Sequence, residues 1–223
     1  MATSRSYNDA CGMAHALDLV GERWALLVVR ELVLGPKRYT DLRAGLPGIS
    51  ANVLSHRLDE LEQSAVVRRR RLGPPAGSSV YELTEWGQEL EPVIKSLGRW
   101  GARSPSRPRE ANLSVSSIVL SLRTNFDPDA SEAVDVRLEL RFGEEHFLAE
   151  VNRGRFEVHR VTGSQGAAPE AFVETAPITL AAILYGGHDL DVAVDSGELT
   201  LDGDRQAVEL FVTLFRLPTP AAG

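Results

Sequence analysis

The chain has 223 residues, 43% apolar and 25% charged, a balance that excludes wholesale disorder, a collagen-like chain and a coiled-coil rod. At roughly 100–200 residues per domain, the length suggests two small domains. No apolar run approaches the ~18–20 residues that span a bilayer, and the polar start from Met1 to Asp9 has no signal-peptide core, so a cytoplasmic protein without a membrane partner is expected. A lone cysteine, Cys11, excludes an internal disulfide and a cysteine-based zinc site.

The net charge of −7 averages two unlike halves. Residues 1–110 hold 16 Lys and Arg against 13 Asp and Glu, whereas residues 111–223 hold 8 against 18. A nucleic-acid partner therefore suits only the first half. Closely spaced prolines in Ser104-Pro105-Ser106-Arg107-Pro108 break any helix there. The expected organisation is a first domain over 1–103, a linker over 104–112 and a second domain over 113–223.

In chain order, Ala14, Leu17, Asp18 and Val20 predict a short helix ending at Gly21, and Trp24 to Leu34 a buried helix stopped by Gly35-Pro36. Thr40 is suited to cap a third helix over Asp41 to Ala44. After the turn-rich Gly45 to Ile49, Ser50 caps a fourth helix over about Ala51 to Ser64. Helix, short turn, helix is the geometry that lays its second helix in a DNA major groove. At ~100° per residue, Val53, Leu54, Leu58, Leu61 and Ala65 form the inner side of that helix, and Asn52, Ser55, His56, Asp59 and Gln63 the outer side. Asn52, Ser55 and His56 are the base-contact candidates, because Asn pairs bidentately with adenine and His donates to guanine or phosphate. Arg57 projects sideways, toward a phosphate or a structural ion pair.

Val66 to Leu72 and Ser79 to Leu83 read as strands joined by Gly73 to Ser78, a hairpin wing. Alternation puts about two of Arg68, Arg69, Arg70 and Arg71 on the solvent face to neutralise phosphates. Arg38, Thr40, Ser50, Asn52, Ser55, His56, Arg57, Arg69 and Arg71 make up the expected DNA-binding set. A helix begun after Thr84 carries Leu90, Val93, Ile94, Leu97 and Trp100 in one stripe that needs a partner.

From Cys11 to about Gly101 these blocks resemble the HxlR-type winged-helix repressors. The likeness rests on Ala16-Leu17-Asp18-Leu19-Val20-Gly21-Glu22-Arg23-Trp24, Arg38-Tyr39-Thr40-Asp41-Leu42, Leu46-Pro47-Gly48-Ile49-Ser50, Val53-Leu54-Ser55-His56-Arg57-Leu58 and Tyr81-Glu82-Leu83-Thr84, in that order. It implies a homodimer, joined through the first and last helices, with a recognition helix of each copy on a palindromic operator. It also makes Cys11 a candidate redox residue, activated near Arg23 or a partner subunit; the alternative is a small buried residue at the dimer contact. The chain departs from the family at Ala51-Asn52, where members often carry Pro-Lys, and at the wing tip Ala76-Gly77-Ser78-Ser79.

In the second half, Val115, Ile118, Val119, Leu122 and Phe126 predict an amphipathic helix. Val134 to Phe142 alternates as a strand, followed across Gly143-Glu144 by an antiparallel meander through Phe147, Ala149, Val151, Phe156 and Val158. Pro177 to Tyr185 is a helix stopped by Gly186-Gly187, Leu199 and Leu201 a short strand, and Arg205 to Phe215 a closing helix. The class is α+β. Leu180 to Gly186 and Ser196 to Asp204 resemble the end of a sterol-carrier-protein-like domain over roughly residues 113–217. That resemblance implies a five-stranded sheet enclosing an apolar tunnel for a hydrophobic small-molecule effector. Phe147, Phe156, Phe172, Leu184, Tyr185, Phe211 and Phe215 are the lining candidates, with plain core as the alternative for each.

There is no nucleophile elbow, His-Glu-x-x-His, Walker loop or dinucleotide fingerprint, and the five histidines lack metal-ligand spacing, so no enzyme, metal or cofactor is expected. The expected function is a homodimeric DNA-binding regulator, a repressor, that responds to a hydrophobic effector. The alternatives are a lipid carrier and a regulator whose second domain serves only assembly.

Overall fold

The computed structural model describes residues 6–73, 77–106, 112–161 and 167–222. The fold is α+β, and the chain divides between Ile94 and Lys95 into two units, each with its own core.

The first unit begins with α1 (Gly12–Val20), α2 (Ala25–Leu32), α3 (Tyr39–Gly45) and α4 (Ala51–Gln63). The hairpin β1 (Val67–Arg71) and β2 (Ser79–Leu83) follows, then α5 (Glu85–Gln88) and α6 (Leu90–Ala102), within which the division at Ile94 falls. Val28, Val29 and Leu32 of α2 meet Leu42, Leu46, Leu54, Leu58 and Leu61 in the core. Ser50 caps α4 as expected, its hydroxyl accepting from the Val53 amide at 3.3 Å; such a cap is worth about 1 kcal/mol.

Four local expectations are corrected. α2 starts at Ala25, because Trp24 precedes it in a left-handed conformation (φ 79°). α3 starts at Tyr39, not after Thr40: Arg38 holds the cap position and its amide donates to the Asp41 carboxylate. Val53 is 37% exposed, and Ala65 is exposed beyond the end of α4, where the chain turns at φ 57°. Thr84 caps the separate short α5, and α6 starts only at Leu90.

Glu31 of α2 has 0% exposure. One carboxylate oxygen accepts from Lys37 Nζ at 2.8 Å and the other from Arg30 Nη2 at 2.8 Å. The Lys37 backbone in turn bonds both ways to Tyr81 of β2, at 3.0 and 2.8 Å, adding a rung to the hairpin. At Gly45, the end of α3, a Cβ would stand 2.5 Å from the Glu31 carboxylate, so glycine leaves the room the carboxylate occupies. One buried charge therefore ties α2, α3 and the hairpin together. Breaking such a pair leaves an uncompensated ion. Glu31→Gln is expected to cost about 3 kcal/mol of stability, read as a lower urea midpoint at unchanged slope.

The second unit contains α7 (Val115–Asn125), β3 (Asp135–Phe142), β4 (Glu145–Asn152), β5 (Arg155–Arg160) and β6 (Ala171–Thr175). It continues with α8 (Pro177–Gly186), α9 (Leu190–Asp195), β7 (Leu199–Gly203) and α10 (Arg205–Val212). The five-stranded sheet has the order β5-β4-β3-β6-β7, antiparallel except for the parallel pair β3 and β6. The register aligns Val136, Leu138 and Leu140 with Val151, Ala149 and Phe147, and those of β4 with Phe156 and Val158. These side chains form the inner face, packed against residues of α7 and α10. The outer face alternates charges: Arg137 pairs with Glu150 at 2.9 Å, and Glu139 meets Arg141 at 2.7 Å and His146 at 3.1 Å.

The meander is one part of a mixed sheet, because β6 pairs in parallel with β3; neither β6 nor α9 is among the elements read from the sequence. In β6, the aromatic Phe172 faces outward between the inward Ala171 and Val173, which disguises the alternation. In α9, six residues follow two glycines and are capped by Asp189, whose carboxylate accepts from the Asp191 and Val192 amides. α10 ends at Val212, before the expected Phe215, which instead bridges to Phe126.

Candidate functional site

The outer side of α4 is polar and open: Asn52, Ser55, His56, Asp59 and Gln63 are all exposed. Two bonds hold its N-terminus. Tyr39 Oη donates to the Ala51 carbonyl at 2.8 Å, and Ser55 Oγ donates to Tyr39 Oη at 3.4 Å. Ser50 is engaged as the cap and Ser55 on Tyr39, which leaves Asn52 and His56 as the two of these residues least committed to local structure. Nε2 of His56 lies 3.6 Å from Glu60 on the next turn. Arg38 and Thr40 are exposed at the start of α3, with the Thr40 hydroxyl donating to Asp41 at 3.1 Å.

Arg57 points elsewhere. Only 13% exposed, its guanidinium pairs with Glu60 and lies 3.6 Å from Glu22 in the α1–α2 turn. Of its two sequence readings, the structural ion pair is the observed one, and Arg57 leaves the DNA-binding set.

All four hairpin arginines are exposed, not two, because a two-stranded ribbon leaves both faces of β1 wet. Partners separate them. Arg68 and Arg70 share the Glu82 carboxylate, at 2.7 and 2.9 Å. Arg69 and Arg71 project from the opposite face, and no ion pair of their guanidinium groups is seen among the described residues; the Arg69 amide donates to the Glu62 carboxylate at 3.3 Å and its guanidinium lies over the Tyr81 ring at 5.8 Å, while Arg71 Nε donates to the Gly77 carbonyl at 3.4 Å. Of the wing tip, Ala76 lies outside the described residues. The hydrogen bond from Arg70, and then that from Arg68, hold the Glu82 carboxyl below its usual pKa although burial raises it.

On α6 the stripe divides. Ile94 is buried within its own chain and Leu90 half-buried, which removes Ile94 from the dimer set. Val93, Leu97 and Trp100 stand 52%, 48% and 74% exposed. On α1, Met13 and Leu17 are exposed as well. Cys11, which precedes α1, is exposed in the single chain; the amides of Ala14 and Met13 lower its thiol pKa. The Arg23 guanidinium sits over the Trp24 ring at 5.6 Å, so backbone amides take the activating part expected of it.

In the second unit, Phe156, Phe211 and Phe215 pack with Phe126 at centroid distances of 4.8 to 6.2 Å. Phe147 is fully buried beside Phe142. Phe147, Phe211 and Phe215 are buried and Phe156 half-buried. Phe172 belongs to the outer face, with the Arg141 guanidinium over its ring at 4.4 Å, so it shares no surface with Phe147 or Phe156. Leu184 is buried on α8, and the Tyr185 hydroxyl accepts from Ser121 Oγ of α7 at 3.0 Å.

Sequence reasoning missed Tyr39, Lys37, Glu22 and Glu82, all of which position other groups. Only the register that sets Arg68 opposite Glu82, and the folding that brings Glu22 to Arg57, reveal them. Among the described residues no helix is long and apolar enough to cross a membrane, and no group of three or more His, Cys, Asp or Glu gathers to hold a metal.

A helix-turn-helix with a basic hairpin, followed in the chain by an α+β unit, defines a winged helix-turn-helix protein. The HxlR-like helix-turn-helix model matches residues 19–108, and the alkyl sulfatase C-terminal model residues 109–221. HTH-type transcriptional regulator YodB of Bacillus subtilis (strain 168) is 38% identical over 88 residues, covering 40% of this chain and 79% of YodB. YvaP of the same organism, another HTH-type transcriptional regulator, is 36% identical over 85 residues, 38% of this chain and 79% of YvaP. The solved reduced form of YodB matches with 33% identity over 44% of this chain and 97% of that one, at a TM-score of 0.39. A double mutant of the sec-alkyl sulfatase PisA1 matches with 22% identity over 48% of this chain and 17% of that one, at a TM-score of 0.42. The chain belongs to the HxlR-like helix-turn-helix family of transcriptional regulators, and its residues 109–221 belong to the alkyl sulfatase C-terminal family. The match over the second half is to that family, and the sterol-carrier-protein likeness read in the sequence is not itself among the matches.

Glu82 carries a pH prediction. A carboxyl with a lowered folded pKa contributes stability fully present above its unfolded value, about 4.3, and lost as pH falls through the folded value. Amide exchange in β1 and β2 is therefore expected to quicken below that pH, while Glu82→Gln exchanges faster at pH 7 and without this acid step.

Proposed function

We propose that this protein is a homodimeric transcriptional repressor that holds a palindromic operator with α4 and the hairpin of each copy. The observation that carries the reading is the sorting of charge on the hairpin. Arg68 and Arg70 are neutralised by Glu82, whereas Arg69 and Arg71 keep their charge toward solvent. Asn52 and His56 are the base readers, and Arg38, Thr40, Arg69 and Arg71 the phosphate contacts. Ser50 and Ser55 hold the reader in place. Residues 1–103 form the DNA-binding and dimerisation domain, 104–112 the linker and 113–223 the effector domain. The acidic second half, with 18 Asp and Glu against 8 Lys and Arg over 111–223, repels phosphate and stays off the DNA.

Mobility shifts on the protein's own upstream DNA across a salt series test this. Arg69→Ala and Arg71→Ala are each expected to reduce the salt slope of the dimer by about 1.8, one phosphate contact at about 0.9 from each copy, and Arg68→Ala to leave it unchanged. Asn52→Ala is expected to lose about 1–3 kcal/mol of operator affinity. Equal effects of Arg68 and Arg69 would overturn the assignment.

The exposed Val93, Leu97 and Trp100 support dimerisation through α6, with Met13 and Leu17 of α1 adding apolar surface. Leu97→Glu together with Trp100→Glu is expected to sediment as a monomer, with operator affinity falling at least tenfold.

For the second domain we read an effector site of sterol-carrier-like type, supported by a five-stranded sheet whose inner face packs against helices. The effector is a hydrophobic small molecule, and the domain regulates rather than catalyses. A second reading, favoured by the exposed Cys11 thiol with its lowered pKa, adds an oxidant input at the start of α1.

A further inference from the structure

We propose that Val53, on the first turn of α4, determines sequence specificity by packing on the C5-methyl group of a thymine in the major groove. The proposal rests on the DNA reading given above and adds to it a contact that selects one base.

Leu54, Leu58 and Leu61 of α4 are buried and Ala51 is half-buried, as the inner side of a helix requires, whereas Val53 is 37% exposed. Its amide donates to the capping Ser50 hydroxyl at 3.3 Å, which fixes its backbone in the first turn. That turn is the part of a recognition helix that reaches base edges. Asn52 precedes Val53, and His56 stands beside it three residues on, both exposed. Helical side chains lean back over the turn before their own, so Arg57 is the long side chain placed to lie across Val53. Its guanidinium is instead committed to Glu60 and to Glu22 of the α1–α2 turn. Val53 therefore keeps an open apolar surface at the edge of a polar reader.

Chemistry decides what that surface can meet. Valine has neither donor nor acceptor, so it serves no phosphate and no polar base edge. The apolar group that bases present in the major groove is the thymine methyl. A β-branched side chain in a helix holds one strongly preferred χ1 rotamer, so the two methyls of Val53 are already in place and lose little freedom on contact. Helix propensity alone favours alanine over valine at this position, so helix formation does not account for the residue. Reading by α4 thus combines hydrogen bonds from Asn52 and His56 with apolar packing from Val53.

Uracil differs from thymine only by that methyl, and uracil interference is the test. The full chain is bound, at one fixed salt concentration, to its upstream DNA carrying sparse uracil in place of thymine, and the bound and free fractions are cut at uracil. The expected result is that uracil is depleted from the bound fraction at one thymine of each half-site, by about fourfold, the effect of one buried methylene-sized group. In Val53→Ala, compared at equal occupancy, depletion at that thymine is expected to vanish while depletion at any other thymine persists. Val53→Thr, which keeps the side-chain shape and exchanges a methyl for a hydroxyl, is expected to weaken the same depletion and serves as the second variant should the alanine variant misfold. Equal depletion in the native protein and the folded variants overturns the assignment and leaves the DNA reading intact, as does a native protein that shifts this DNA specifically yet tolerates uracil at every thymine. Absence of any specific shift by the native protein overturns the assignment and the DNA reading together.

Discussion

A single buried carboxylate sets the geometry of the first unit. Glu31 has given up all contact with water, and an ion so placed survives only where charge and hydrogen bonds replace its hydration. Lys37 and Arg30 supply both. Because the Lys37 backbone is itself bonded to Tyr81, and Gly45 yields its side-chain space to the carboxylate, the neutralisation can be met only with α2, α3 and the hairpin in one arrangement. The reader helix is tied to the same frame through Tyr39, the first residue of α3, which binds the carbonyl of Ala51, the first residue of α4. Rigid placement of side chains on helices and strands gives a recognition surface its precision.

On that frame the charged groups divide into those used up by the fold and those left over. Arg57 joins Glu60 and Glu22, and Arg68 and Arg70 join Glu82. Arg69, Arg71, Asn52 and His56 remain turned outward. Exposed pairs contribute only about 0–1 kcal/mol each, so the pairing matters less for stability than for deciding which cations a phosphate can reach. In the second unit the outer face of the sheet is internally neutralised in the same way, Arg137 with Glu150 and Arg141 with Glu139.

Much of this was legible from the sequence. Ser50 before Ala51, and the alternation from Val136 to Phe142, announce an N-cap and a strand by local chemistry alone, and the structure has both. The outer residues of α4 followed from a helical wheel, but Val53 did not, since a wheel ranks apolar residues by angle and cannot know that the chain leaves that side bare. Pairings set by folding were out of reach: Arg57 with Glu22, Lys37 with Glu31, Phe172 on the face opposite Phe156. The parallel strand β6 was hidden because its partner β3 lies some thirty residues earlier and only the finished sheet aligns Leu138 with Ala171. The aromatic residues read as a tunnel lining are the same residues the core needs, and composition cannot separate those uses.

The most direct test of a division between a DNA-holding first unit and a DNA-free second unit is hydrogen exchange on the full-length protein, with and without its upstream DNA. Slowed exchange confined to α3, α4 and the hairpin, with α7 through α10 unchanged, is the predicted result. Slowing centred on the second unit, with the amides of α4 untouched, would contradict it.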